Sequence, residues 1–295
     1  MISFEKYHGN GNDFVFIESS ALNLFSSVAQ LQEFVIRACS RNFGIGADGV
    51  VFCNTSQNEV LILNSDGSFA ATCGNALRCY GLKLLLDGLW DGKSSVAVKR
   101  LVPVIFQEYQ FESSEAFLQN KNDVFATLLQ GNLQTQKICV AMGAEHATQI
   151  HSISKNDFNL EQCVYVQLAN PHLVFIEPAF EAFHDEQFKQ LGKWAQGELV
   201  HLLAGVIPVC NISMLYLKSG TWYLQVYERG AGLTLCCGSG AVASRVALEA
   251  LQLVNCNEGT ISFNLKGGGV DIGSKEQRTL TGSAECVYKG SISWY

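Results

Sequence analysis

Two stretches of this chain begin alike, and few folds can accommodate both. In Asn64-Ser65-Asp66-Gly67-Ser68-Phe69-Ala70-Ala71-Thr72-Cys73-Gly74-Asn75-Ala76-Leu77-Arg78-Cys79, a polar loop passes through a cysteine and becomes apolar at helical spacing. Far downstream, Arg229-Gly230-Ala231-Gly232-Leu233-Thr234-Leu235-Cys236-Cys237-Gly238-Ser239-Gly240-Ala241-Val242-Ala243 does the same. Cys-Gly-Asn-Ala in one matches Cys-Gly-Ser-Gly in the other. Each cysteine is expected where a loop turns into a helix. The N–H groups that follow have no intrahelical partner and carry the positive end of the helix dipole. Such a place binds an anion such as a carboxylate, and it lowers the pKa of a thiol.

The rest of the chain has to supply walls for two such helices. The first is apolar on nearly all sides from Leu77 to Leu86, which marks a buried helix. The second, Gly240 to Leu253, is mostly apolar with one polar stripe of Arg245, Glu249 and Gln252. Around the first, short strands are expected at residues 2–7, 14–17, 50–52, 60–63, 95–99, 102–106 and 124–129. A further helix fits residues 28–41. Around the second, strands fit residues 164–168, 173–176, 211–217 and 222–227, with a helix at 186–196 and more strands after Gly259. The weak stretch Glu112 to Asp123 reads as polar loop, and Gly131-Asn132 as a seam. The expectation is an α+β fold of two pseudo-symmetric domains, each a mixed, mostly antiparallel sheet curled around a central buried helix. The first would comprise residues 1–130 plus 281–295 and carry Cys73; the second, 131–280, would carry Cys237.

Composition narrows the function. Net charge is −7, with 48% hydrophobic and 16% charged residues, so the chain is globular and lacks the basic footprint of a nucleic-acid binder. Its most apolar run, Val200 to Leu217, contains His201, Gly205, Pro208 and Asn211. It reads as buried loop and strand, not as a membrane span. No secretion pattern opens the chain, and a cytoplasmic location is expected. The eleven cysteines are odd in number and include no C-x-x-C, which argues against a disulfide scaffold, a zinc site or a thioredoxin motif. Gly44-x-Gly46-x-x-Gly49 matches the dinucleotide fingerprint in letters only, because a strand follows it where a helix is required.

Two cysteines facing one substrate carbon would make a cofactor-free proton carrier. One thiolate removes the α-proton while the other thiol delivers a proton to the opposite face, inverting the centre. Backbone N–H groups of Gly74, Asn75, Gly238 and Ser239 would hold the carboxylate and stabilise its developing charge. The two thiols would titrate as one coupled pair. Asn12, Asn64, Asn170 and Asn211 each flank an apolar strand, where an amide packs poorly but serves as a fixed hydrogen bonder. Glu228 and Arg229 enter just before the second loop and suit an ammonium and a carboxylate. His172 follows Pro171 in a turn and reads equally as a turn residue or a substrate contact.

These motifs, with His8-Gly9-Asn10-Gly11-Asn12-Asp13-Phe14, Asn170-Pro171-His172 and Tyr227-Glu228-Arg229-Gly230-Ala231-Gly232, resemble the diaminopimelate epimerase family in order along most of the chain. The resemblance implies a pyridoxal-independent epimerase interconverting LL- and meso-diaminopimelate on the lysine and peptidoglycan route, with no cofactor and no metal. It implies Cys73 and Cys237 as the catalytic pair. Asn64, Asn170, Asn211 and Arg229 would hold the distal end of the substrate, and Asn12 and Glu228 would lie near the reacting amino group. It also implies a small amino-acid substrate and a homodimer. Gly49, Ala76, Leu233 and Cys236 depart from the family pattern. Another racemase of the same fold, acting on histidine or lysine, stays open on the residues, as does a thiol-redox or non-catalytic amino-acid-binding protein.

Overall fold

The computed structural model describes residues 1–103, 124–142, 147–153, 157–176, 185–203, 210–257 and 259–294. The chain forms two compact units, Met1–Ala141 with Gly282–Tyr295, and Met142–Thr281. The first contains strands β1 (Ile2–Gly9), β2 (Asn12–Glu18), β3 (Gly49–Asn54), β4 (Glu59–Asn64), β5 (Val96–Arg100), β6 (Val124–Asn132) and β7 (Lys137–Ala141). The second contains β8 (Thr148–Ser152), β9 (Gln162–Val166), β10 (His172–Ile176), β11 (Asn211–Lys218), β12 (Thr221–Glu228), β13 (Gly232–Thr234), β14 (Ile261–Leu265) and β15 (Gly268–Ile272). Strand β16 (Thr279–Ser283) carries the chain back, and β17 (Glu285–Ile292) completes the first unit.

The strands of the two units follow one plan. In the first, β17 pairs antiparallel with β1 and β1 antiparallel with β2. Then β2–β3 is parallel, β3–β4 antiparallel, β4–β5 parallel and β5–β6 antiparallel. In the second, β8–β9 and β9–β10 are antiparallel. Then β10–β11 is parallel, β11–β12 antiparallel, β12–β14 parallel and β14–β15 antiparallel. The same alternation in both units is the internal repeat that the paired Cys-Gly helix starts pointed to.

The α-helices are α1 (Val28–Cys39), α2 (Gly74–Leu86), α3 (Asp185–Trp194), α4 (Val200–Leu202) and α5 (Gly238–Ala250). Helix α2 touches β1, β2, β6, β7 and β17, and every residue from Gly74 to Leu84 is buried. Helix α5 touches β8 to β12 and β15. Each sheet therefore wraps its own cysteine-led helix, as the all-round apolar sequence of α2 requires. Helix α1 instead packs one apolar face on β3 and β4, through Val28, Leu31, Phe34, Val35 and Ala38.

Several expectations are corrected. Gly131-Asn132 is no seam: it ends β6, and a tight turn leads directly into β7, so the first unit continues to Ala141. The apolar residues pull this hairpin inward, with Ile138 and Val140 fully buried. The helix expected to end at Gln196 instead continues through a wide π-type turn, Ala195–Leu199, into α4. Leu199 and Val200 are buried in the core cluster with Phe188 and Leu191, so the start of the apolar run is helix, not loop or strand. The stripe on α5 is an internal ion-pair network. Arg245 is fully buried and donates from Nε to Glu249 at 2.8 Å, and Arg278 donates to the same carboxylate at 2.7 and 3.0 Å. The strand expected at 102–106 lies partly, and the loop 112–123 wholly, outside the described residues.

Candidate active site

Each unit gathers polar groups at one edge of its sheet. The register Phe14–Gly49–Asn64 places the start of β2, the start of β3 and the end of β4 side by side. The registers His172–Asn211 and Ile212–Tyr227 do the same for the starts of β10 and β11 and the end of β12. Asn12, Asn64, Asn211 and Glu228 thus lie on equivalent edges of their units, and Asn170 sits two residues before β10.

A cysteine caps the helix beside each edge. Cys73 has extended backbone (φ −147°, ψ 105°), and its Sγ accepts the Ala76 N–H at 3.5 Å. Cys237 does the same (φ −127°, ψ 109°), accepting the Gly240 N–H at 3.4 Å. Both are reduced. In each unit, the residue two beyond the cysteine reaches the strand edge. Asn75 donates from Nδ2 to Asn12 Oδ1 at 3.1 Å, and Ser239 Oγ lies 3.0 Å from His172 Nε2.

The second edge is a continuous polar chain. The Arg229 N–H donates to Asn211 Oδ1 at 2.8 Å, which turns the Asn211 NH2 toward His172 Nε2, 3.4 Å away. Nε2 is therefore the acceptor and Nδ1 carries the proton, donating to Ser213 Oγ at 2.9 Å; this tautomer is assigned from the network. The Ser239 hydroxyl then donates to Nε2, leaving its oxygen to accept from the Cys237 thiol 3.3 Å away. Full burial pushes the His172 pKa down to about 3, so the imidazole is neutral.

The Cys237 thiol departs from the expectation drawn from helix starts. Its pKa is raised well above the usual thiol value, first by burial and then by the charge of Glu228. Hydrogen bonds from Ser239 and Gly240 pull the other way without prevailing. Only 4% of the residue is exposed, and desolvation penalises a thiolate more than the helix end favours it. Cys237 is thus a proton holder, and Cys73 is the more open of the two.

The remaining expected residues divide. Gly74, Asn75, Asn211 and Gly238 are buried, while Asn12, Asn170, Glu228 and Ser239 are half-buried. Glu228 accepts from Thr234 Oγ1 at 2.6 Å. Asn64 is exposed and donates to Ser68 Oγ at 2.9 Å, inside its own turn, and Arg229 is exposed. Asp48, Ser213 and Thr234 escaped the sequence reading. Asp48 was legible in principle, as an acid placed like the asparagines at the mouth of an apolar strand. Gly49 has a packing reason: a Cβ there would lie 2.6 Å from the Leu63 carbonyl oxygen.

A sequence model of the family described as diaminopimelate epimerase matches residues 4–101. Over its full length the chain is similar to diaminopimelate epimerase 1 of Nostoc sp. (strain PCC 7120 / SAG 25.82 / UTEX 2576), at 32% identity over 99% of both chains. It is also similar to the diaminopimelate epimerase of Nostoc punctiforme, at 33% identity over 99% of both. Among solved structures, a probable proline racemase from Agrobacterium radiobacter K84 superposes with a TM-score of 0.61. That match covers 99% of this chain and 93% of the other at 12% identity, a likeness of fold alone.

Proposed function

The chain belongs to the diaminopimelate epimerase family, and from that premise we propose that it interconverts LL- and meso-diaminopimelate by a two-thiol mechanism without a cofactor. The observation that carries this reading is the repeated cysteine cap, each with a polar partner at the adjoining strand edge. The substrate carboxylate is held by the first N–H groups of the two helices, at Gly74, Asn75, Gly238 and Ser239. Cys73, as thiolate, takes the α-proton as S–H, and the electron pair left on carbon spreads into the carboxylate. Cys237 gives its proton to the other face and becomes the thiolate. Running the steps backwards converts the product. Proton delivery by Cys237 is favoured by the burial that keeps it protonated. Its thiolate, once formed, keeps the hydrogen bond from the Gly240 N–H at 3.4 Å, and the Ser239 hydroxyl 3.3 Å away can turn from His172 Nε2 to donate to it.

Asn12 and Glu228 serve the reacting amino group, while Asn64, Asn170, Asn211 and Arg229 serve the distal end. The enzyme works in the cytoplasm as a homodimer, which light scattering on the purified protein checks. No described helix is long and apolar enough to cross a membrane. Cys73→Ala should abolish turnover of diaminopimelate, a loss of at least about 100-fold for removal of a general base. Full activity of that variant would sink the mechanism. A panel including lysine and histidine checks the substrate, and turnover of either without diaminopimelate would overturn the assignment.

A further inference from the structure

The Gly44-Ile45-Gly46-Ala47-Asp48-Gly49 segment binds no dinucleotide in the proposed reaction, yet it delivers one carboxylate to the candidate site. Asp48 Oδ2 accepts from Asn12 Nδ2 at 2.9 Å and from the Asp13 N–H at 3.0 Å. Its Oδ1 accepts from Arg41 Nη2 at 2.8 Å. Its main chain ties three segments together: the Asp48 N–H donates to the Asp13 carbonyl at 2.8 Å, and the Ser65 N–H donates to the Asp48 carbonyl at 3.0 Å. The neighbouring Asp13 is clamped by Arg41 at 2.8 and 3.2 Å and by Lys6 at 2.7 Å. Burial raises its pKa, but the hydrogen bonds from these two cations bring it down to about 2. Burial raises the Asp48 pKa, while the Asp13 N–H and the Arg41 charge pull it down; its Oδ2 is held beside Asn12 as an acceptor.

This arrangement decides which way Asn12 faces. An amide can be turned end for end at little cost unless its neighbours distinguish oxygen from nitrogen. Here both ends are specified. Nδ2 donates to the Asp48 carboxylate, and Oδ1 accepts from Asn75 Nδ2 at 3.1 Å. The reversed amide would set oxygen against carboxylate on one side and NH2 against NH2 on the other. Asn75 belongs to the first turn of α2, two residues after Cys73, so the Asn12 carbonyl faces the Cys73 helix start. We propose that Asp48 is a positioning residue: it locks Asn12 with its carbonyl oxygen toward the Cys73 cap, where that oxygen accepts from the ammonium group on the carbon being inverted. This rests on the proposed epimerase reading. Asp48 itself touches no substrate; it acts through Asn12.

Two variants test it, Asp48→Asn and the exchanged pair Asn12→Asp/Asp48→Asn. In the single variant two amides face each other and Asn12 is no longer told which way to turn. In the pair, the amide introduced at position 48 donates its NH2 to the carboxylate introduced at position 12. That restores an acceptor toward Asn75 and the ammonium with no change in total charge. The single variant should lose roughly 10- to 100-fold in kcat/KM for LL-diaminopimelate, the cost of losing a charge-assisted hydrogen bond. The pair should recover at least about tenfold of that. In the substrate-free protein, the side-chain amide proton of Asn12 that meets Asp48 should move upfield by NMR in the single variant. A single variant within twofold of wild type, an exchanged pair no better than the single variant, or an unmoved Asn12 amide would each overturn the proposal. Should wild-type protein fail to turn over diaminopimelate, the epimerase reading fails, and the Asn12 resonance still decides the orientation.

Discussion

At the residue scale, the two cysteines do two jobs that can be separated. Each sulfur caps a helix, and each is proposed to carry a proton. Serine is the better cap and a far weaker acid. Cys73→Ser should therefore melt no lower than wild type while kcat falls by about 100- to 10,000-fold; calorimetry beside a rate assay reads both. The raised pKa of Cys237 gives a second outcome. Alkylation needs the thiolate, so Cys237 should react slowly with iodoacetamide at neutral pH. Glu228→Gln removes a negative charge beside it and should speed that alkylation at fixed pH, read by peptide mass spectrometry; an unchanged or slower rate would exclude Glu228 as a cause. His172 supplies the pH dependence of stability. Its folded pKa of about 3 lies below its ordinary value of 6.5, so below pH 6.5 the unfolded chain binds a proton that the folded one refuses. This contribution is complete above pH 6.5 and lost progressively toward pH 3. His172→Asn should flatten the fall in unfolding free energy across that window in denaturant titrations. The asparagines were legible as a set, as amides at strand mouths. The helix-dipole argument for Cys237 was not enough, because burial depends on the folded packing around it and not on local sequence.

At the element scale, the difference between Cys-Gly-Asn-Ala and Cys-Gly-Ser-Gly has a steric reason. Ala76 fits inside α2, but a Cβ at Gly240 would lie 2.9 Å from Val226 Cγ2, 3.2 Å from His172 Cε1 and 3.3 Å from Ser213 Oγ. The second helix start is glycine because the His172 chain occupies that space. Gly240→Ala should destabilise by about 1–3 kcal/mol, the usual cost of overpacking. It should also displace His172, seen as a changed imidazole resonance. By contrast, Leu82→Ala, at a fully buried position of α2, should cost about 2–5 kcal/mol through the cavity it leaves. Elements with a strong local signal were readable. The bounds of α2 follow from its cap and its apolar run, and β3, β4, β11 and β12 show as short apolar runs. Elements defined by partners were not: β6 and β7 form a hairpin across what looked like a seam, and α4 is helical because Leu199 and Val200 find a core.

At the scale of the whole molecule, the chain is a duplicated plan with unequal chemistry. Both units alternate antiparallel and parallel pairs in the same sequence around a buried, cysteine-capped helix. The first unit surrounds its edge with carboxylates matched by Lys6 and Arg41. The second surrounds its edge with a neutral histidine and hydroxyls. The repeat was legible from the two helix starts, and the division of labour was not, since it depends on Asp48, Ser213 and Thr234, whose partners are distant in sequence. The central claim is that two different groups handle the proton. LL-diaminopimelate incubated with the enzyme in heavy water, stopped early and separated by isomer, tests it by mass spectrometry. Deuterium is expected at the α-carbon of the meso product while the recovered LL substrate still carries protium, because a proton taken by one thiol is not returned to the same face before the other thiol delivers deuterium. Deuterium entering recovered substrate as fast as product would mean that one group works both faces, and would contradict it.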